Sequence, residues 1–224
     1  MNIEQARFNM IEQQIRPWDV LDASVLDLLA VVKREDFVPN NYRALAFVDT
    51  EVPLPGGQCM LAPKVEARLL QELGVHKHER VLEIGSGSGF MAALLAHRGQ
   101  HVTTLEIDPE LADLARANLR RAGVLNATVV NADGSQGHSA DGPYDAIVLS
   151  GSIAEVPTAL LAQLKLGGRL AAIVGQLPVM RAVVLERSGG HGNERGGQGV
   201  ERRVLFDTVA QRLRGFDEPS RFHF

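Results

Sequence analysis

Glu83-Ile84-Gly85-Ser86-Gly87-Ser88-Gly89 is the stretch on which the fold turns. It follows the apolar run ERVLEIG (79–85) and leads into FMAALLAHRG (90–99), which reads as a buried strand, a glycine turn and a helix. Glycines let the chain turn tightly and let a ligand touch the backbone. A dinucleotide turn has the spacing G-x-G-x-x-G and seats a pyrophosphate at the helix N-terminus. Here the spacing is G-x-G-x-G, and a carboxylate, Glu83, stands two residues before the first glycine. A carboxylate there repels phosphate and can hold a cation. S-adenosylmethionine (AdoMet) has a cationic amino group and no phosphate, so these residues fit AdoMet better than NAD.

The next strand, HVTTLEID (101–108), carries Glu106, 23 residues after Glu83 and one strand–helix–strand unit away. An acidic group at that strand end can accept both ribose hydroxyls; alone it would read as a solvated surface Glu. After a third strand, ATVVNAD (127–133), Asp133 and Gly134 stand where the adenine amino group would be received, although Asp-Gly is also an ordinary Asx-turn pair. A fourth strand, YDAIVLSG (144–151), opens with Asp145, read as structural. It ends at Ser150, on the carboxyl edge where open α/β sheets bind ligands. The expected cofactor set is therefore Glu83, Gly85, Ser86, Gly87, Gly89, Glu106, Ile107, Asp133, Gly134 and Ser150.

Strand and helix keep alternating outward from this centre. PELADLARANLRRAG (109–123) opens with Pro and closes with Gly, VPTALLAQLKLGG (156–168) reads as a helix with a Gly-Gly stop, and RLAAIVG (169–175) reads as a fifth strand. Such alternation predicts a mainly parallel sheet with helices on both faces. Two further strand candidates, 180–187 and 200–213, flank the segment SGGHGNERGGQG (188–199), read as a mobile hairpin tip or a flap over a substrate. Upstream, helices are expected over 3–14, over 21–32 with Asp22 as N-cap, and over 64–74 opened by Pro63; residues 35–63 are expected to be mostly irregular. Arg16-Pro17-Trp18-Asp19 reads as a turn with Trp18 as a packing anchor.

Composition narrows the function classes. The 224 residues suit one domain, with 45% hydrophobic and 22% charged residues. A net charge of −4 gives no hint of a basic face, so no nucleic-acid partner is expected. A single cysteine, Cys59, excludes an intrachain disulfide and a Cys-rich zinc site, and no metal is expected. No apolar run approaches the ~20 residues that span a bilayer, and residues 1–20 lack a signal-like apolar core, so no membrane association and a cytoplasmic location are expected.

Several stretches together resemble the protein-L-isoaspartate O-methyltransferases. VLEIGSGSGF (81–90) and TLEIDPELADLARANL (104–119) look like that family's cofactor segments. KREDFVPNNYRALAFVDTEVPLPGGQ (33–58) is similar to its more specific N-terminal region, and 144–170 to its fourth-to-fifth-strand segment. The likeness is good from Met10 to Gly175 and loose in the tail. It implies a Rossmann-like class I methyltransferase fold with seven strands in the order 3-2-1-4-5-7-6 and one domain over 1–224. Within it, 1–77 would be a helical, substrate-side extension, 78–175 the AdoMet core, and 176–224 the C-terminal strands. It implies AdoMet as cofactor and isoaspartyl-containing proteins as substrates, methylated on a free carboxylate in protein repair.

One departure bears on activity. The family reads G-Q-T-I-S-x-P where this chain has Gly57-Gln58-Cys59-Met60-Leu61-Ala62-Pro63. Leu61 occupies the place of the Ser that offers a hydroxyl to the substrate carboxylate, and Cys59 the place of the Thr. These are the candidate catalytic positions. Losing a hydrogen bond to a charged acceptor costs ~1.5–3 kcal/mol, about one to two powers of ten in rate. Cys59 reads either as a nucleophile or as a structural thiol. A different acceptor, or an AdoMet-binding module without turnover, are the alternative functions at this stage.

Overall fold

The computed structural model describes residues 2–189 and 199–217. Seven strands make the central sheet: β1 Arg80–Ile84, β2 His101–Glu106, β3 Ala127–Asn131, β4 Tyr144–Ile153, β5 Leu164–Gln176, β6 Val179–Ser188 and β7 Gly199–Thr208. They lie in the order β3-β2-β1-β4-β5-β6-β7, with β1 to β5 parallel and the last two antiparallel. The expected 7-6 edge is therefore reversed. Gln176 pairs with Val179, so only Leu177 and Pro178 join β5 to β6; so tight a hairpin forces its strands to be neighbours. The glycine-rich tip expected over 188–199, with its flap reading, falls mostly on 190–198, outside the described residues.

Helix ends follow local chemistry. In α1 (Ile3–Met10) Asn2 caps the first turn. A π turn, Ile11–Ile15, then breaks the helix expected to reach 14, ahead of the Pro17 turn. Asp22 caps α2 (Ala23–Val31) by accepting from Ser24 N. Pro63 opens α3 (Pro63–Leu73), and Gly74, in the left-handed region at φ 52°, ends it. α4 spans Phe90–Arg98 and α5 Pro109–Arg121, the latter capped by Asp108. α6 is only Thr158–Ala162. The helix expected to reach 168 stops because Leu164 already pairs with Tyr144. Regular pairing resumes at Arg169, after a bulge containing Gly167 at φ 74°. Within 35–63, expected to be irregular, the chain forms two 3₁₀ segments, a short 3₁₀ turn and a two-stranded ribbon (52–53 with 59–60).

The sheet separates two cores, and β4 shows how. Ala146 and Val148 face the side packed by α2, α3 and α4, while Ile147 and Leu149 face the side of Leu160 on α6. The first side is thicker because the N-terminal segment covers it. Arg34, 1% exposed, pairs there with Glu66 on α3, donates to Leu61 O at 2.8 Å and lies over the Phe90 ring at 5.2 Å. Arg7 and Glu35 form a second buried pair. At the base of the sheet Arg169 grips Glu79 through two bonds (2.6 and 2.7 Å) and Gly74 O at 2.9 Å. Asp145 accepts from Arg80 N at 2.8 Å and from Lys165, the structural role read from sequence. Trp18 packs edge-on to Phe206, under Lys64 Nζ at 3.8 Å.

Candidate functional site

The carboxyl ends of β1, β2 and β4 open into one cleft of about 480 Å³, solvent at its mouth included. Gly85 and Gly87, at φ 91° and 51°, turn the chain so that its backbone forms the floor. The φ of 91° strains any L side chain at Gly85, and a Cβ there would also lie 2.7 Å from Leu213 Cδ2. Glu106 closes one side. Its Oε2 accepts from Gly87 N at 2.9 Å and its Oε1 from Asp108 N at 3.1 Å, which fixes the carboxylate between turn and strand. Ile107, Gly134 and Ser150 also line the cleft.

A smaller cavity adjoins it, sharing Cys59, Gly85, Gly87 and Ser150 with the cleft. Met60, Leu61, Phe90 and Met91 give it an apolar wall; Glu66 and Glu83 bring carboxyls to it. Glu83 accepts from Thr104 Oγ1 and from Ser150 Oγ, both at 2.7 Å, and Ser86 Oγ lies 2.6 Å from that Thr104 hydroxyl. Burial, with Glu66 and Glu106 adding repulsion, pushes the Glu83 carboxyl up to about 8 against those two hydrogen bonds. Burial likewise lifts Glu66 to about 7 despite Arg34. Both carboxyls hold protons in the folded protein that the unfolded chain releases nearer 4.5. Folding stability therefore falls as pH rises through the folded-state values. The ligand-free protein is expected to melt lower at about pH 8.5 than at about pH 6.5. Scanning fluorimetry checks this, and a flat or rising profile would count against it.

Two expected cofactor residues lie elsewhere. Gly89 lines neither space; at φ 85° it starts α4, where a Cβ would crowd Ala115 O and Leu119 at 3.3 Å, so it serves helix packing. Asp133 is exposed and lines neither space as described; its Oδ1 accepts from Ser135 N at 2.8 Å, making the Asx turn. Gly134 does line the cleft, and a Cβ there would meet Ile84 Cγ2 at 2.5 Å. Leu61 is buried, 4% exposed, with its carbonyl held by Arg34. Burial first, then Glu51 and Glu66, pushes the Cys59 thiol up to about 12, which favours the structural thiol over the nucleophile.

Residues 209–217 carry what the sequence reading missed. Ser152 N donates to Gln211 O and Leu213 N to Ser152 O, so this run lies along the end of β4. Gln211 Nε2 donates to Gly57 O at 2.6 Å, and Arg214 pairs with Asp108 at 2.6 Å. Leu213 and Arg214 thus form an outer wall of the cleft. In sequence the run reads as the end of a strand, and nothing in its spacing announces a ligand. Glu66 was missed because it sits at an inward position of an amphipathic helix and carries no motif.

AdoMet fits this arrangement. The floor is backbone made accessible by glycine, the strand-end Glu106 suits ribose hydroxyls, and the buried carboxyls suit a cationic group rather than a phosphate. Among the described residues no group of three or more His, Cys, Asp or Glu side chains could hold a metal ion, and no helix is long and apolar enough to cross a membrane.

Comparison with known proteins gives a consistent pattern. The family model for protein-L-isoaspartate(D-aspartate) O-methyltransferase matches residues 5–212. The protein-L-isoaspartate O-methyltransferase of Methanoculleus marisnigri is 44% identical over 169 residues, 75% of this chain and 77% of the relative. That of Koribacter versatilis is 36% identical over 184 residues, 82% and 83% of the two chains. A solved Plasmodium falciparum structure, a putative protein-L-isoaspartate O-methyltransferase in complex with S-adenosyl-L-homocysteine, superposes with a TM-score of 0.75 at 20% identity, over 93% of this chain and 98% of that one. At that identity the likeness speaks for the fold alone.

Proposed function

Because the chain belongs to the protein-L-isoaspartate (D-aspartate) O-methyltransferase family, we propose that it transfers the methyl group of AdoMet to the free α-carboxylate of isoaspartyl residues in damaged proteins. The observation that carries this reading is the family match over residues 5–212. It agrees with a glycine-floored cleft that shares Gly85 and Ser150 with a second, smaller cavity on which an acceptor can border. We assign the backbone of Gly85 and Gly87, Glu106, Ile107 and Gly134 to the cofactor, and the Cys59–Leu61 segment to the acceptor side. Residues 1–77 then supply Cys59, Met60 and Leu61 to the acceptor wall, and 78–175 form the cofactor core of one domain.

The chemistry asks little of the side chains. Bound AdoMet supplies a methyl on a positively charged sulfonium. The acceptor carboxylate, with a pKa near 4, is already ionised at neutral pH and needs no general base. What remains is alignment of oxygen and methyl at roughly 3 Å and exclusion of water. Met60, Leu61, Phe90 and Met91 give the cavity the apolar wall that excludes water, and Arg34 fixes that wall through the Leu61 carbonyl.

A second reading has one specific support. Leu61 offers no hydrogen bond to a carboxylate, and the carboxyls of Glu66 and Glu83 face the same cavity. That surrounding favours a less anionic acceptor. Turnover of an isoaspartyl peptide with radiolabelled AdoMet separates the two. Leu61→Ser is expected to raise kcat/KM for that peptide by about tenfold to a hundredfold. If neither wild type nor Leu61→Ser methylates the peptide while both bind S-adenosylhomocysteine, the isoaspartyl reading fails and the other acceptor class stands.

A further inference from the structure

Glu66 and Glu83 line the same inner cavity, but their hydrogen bonding differs. Glu83 has a hydroxyl donor on each oxygen. Glu66 has only Arg34, on Oε2; among the described residues nothing donates to its Oε1. Glu66 is 5% exposed and lines the cavity, so this oxygen is left for whatever enters there. Three carboxyls (Glu66, Glu83 and Glu106) meet around the junction of cavity and cleft, each at most 6% exposed. Against them stands one buried cation, Arg34, because Arg214 at the outer wall is paired with Asp108. The inner space therefore wants positive charge.

With the ribose toward Glu106, the methionine end of the cofactor would lie past Gly85 and Gly87, which line both spaces. Its α-ammonium would gain a charge-assisted hydrogen bond from an ionised carboxyl there, whereas its α-carboxylate would be repelled by it. We propose that Glu66 receives the α-ammonium of AdoMet, and that a proton leaves the carboxyls lining this cavity as the ammonium seats. The assignment rests on the AdoMet reading of the cleft and adds to it a proton-linked binding step. The groups facing Glu66 are Arg34 from the turn Arg34–Asp36, the neutral thiol of Cys59 on the ribbon with Glu51 beside it, Glu83 on β1 and, beyond it, Glu106 on β2. Lys64 on α3 itself is paired with Asp49. Burial holds the Glu66 carboxyl at about 7 and the Glu83 carboxyl at about 8, so near neutrality the free pair carries roughly one proton that an adjacent ammonium would expel.

Isothermal titration calorimetry with S-adenosylhomocysteine at about pH 7, in buffers of different ionisation heat, counts that proton. A second ligand, the same molecule without its α-amino group, tests the contact. Wild type is expected to release about half to one proton per S-adenosylhomocysteine and to bind the deaminated ligand about tenfold to a hundredfold more weakly, with no release. In Glu66→Gln the two ligands should bind within about threefold of each other and the proton release should largely vanish. If that variant does not fold, the double exchange Arg34→Met with Glu66→Met, which removes the buried pair together, is read in its place. Equal binding of both ligands by wild type, absence of proton release, or a variant that keeps preference and release would overturn the proposal. Failure of wild type to bind S-adenosylhomocysteine at all would instead overturn the AdoMet reading beneath it.

Discussion

Exchanging Arg34 for methionine is expected to lower the melting temperature of the ligand-free protein by about 6–20 °C. The guanidinium is 1% exposed and its partner Glu66 5%. Removing one member of such a pair leaves an uncompensated buried charge, a loss of about 3–5 kcal/mol. For a chain of this size each kcal/mol is about 2–4 °C. The loss has a pH signature. Without Arg34 the Glu66 carboxyl, already raised to about 7 by burial, rises further, so the deficit relative to wild type shrinks in acid, where Glu66 is protonated, and widens as pH increases. Adding Glu66→Met should recover most of the stability, since apolar replacement of a whole buried pair is often neutral or better. Recovery should stop short of complete because Leu61 O loses its donor. Calorimetric melting of the two variants decides it; a single exchange that melts within about 2 °C of wild type would mean that Glu66 finds its compensation elsewhere.

Glu106→Ala should have the largest effect on ligand binding. A strand-end carboxylate that accepts both ribose hydroxyls makes two charge-assisted hydrogen bonds, each contributing about 1.5–3 kcal/mol. The dissociation constant of S-adenosylhomocysteine is then expected to rise about a hundredfold to ten-thousandfold. Part of that comes through the protein, because the same carboxylate holds Gly87 N and Asp108 N and keeps the glycine turn in place. Glu106→Gln, which keeps the shape and an acceptor oxygen, should lose less. Titration calorimetry measures both, and an alanine variant within about threefold of wild type would remove Glu106 from the site.

How much of this was legible in the sequence depends on the range of the forces involved. The glycine turn, the β-α alternation and the helix-end signals at Asp22, Pro63, Gly74 and Pro109 are local, and the structure has them where the residues put them. The order of β6 and β7 came from family likeness; the two-residue turn at Leu177-Pro178 decides it instead. The helix expected up to 168 lost to a sheet contact, Leu164 against Tyr144, that no local propensity reports. The carboxylates at 83 and 106 could be read because strand periodicity brings them to one edge. Glu66 on α3 could not, since its meaning comes from Arg34, 32 residues away, and from Glu83 on another element. Asp133 was legible both as a ligand contact and as an Asx turn, and its Oδ1 makes the turn with Ser135 N.

The tie between Gln211 and Gly57 spans 154 positions. Contacts so distant along the chain form late, because the ends of a long loop must first be brought together. During synthesis the glycine floor and Glu106 emerge well before Leu213 and Arg214, so a nascent chain owns a nucleoside seat before it owns the seat's outer wall. A ligand held against both floor and outer wall would therefore favour chains in which Gly57 and Gln211 have already met.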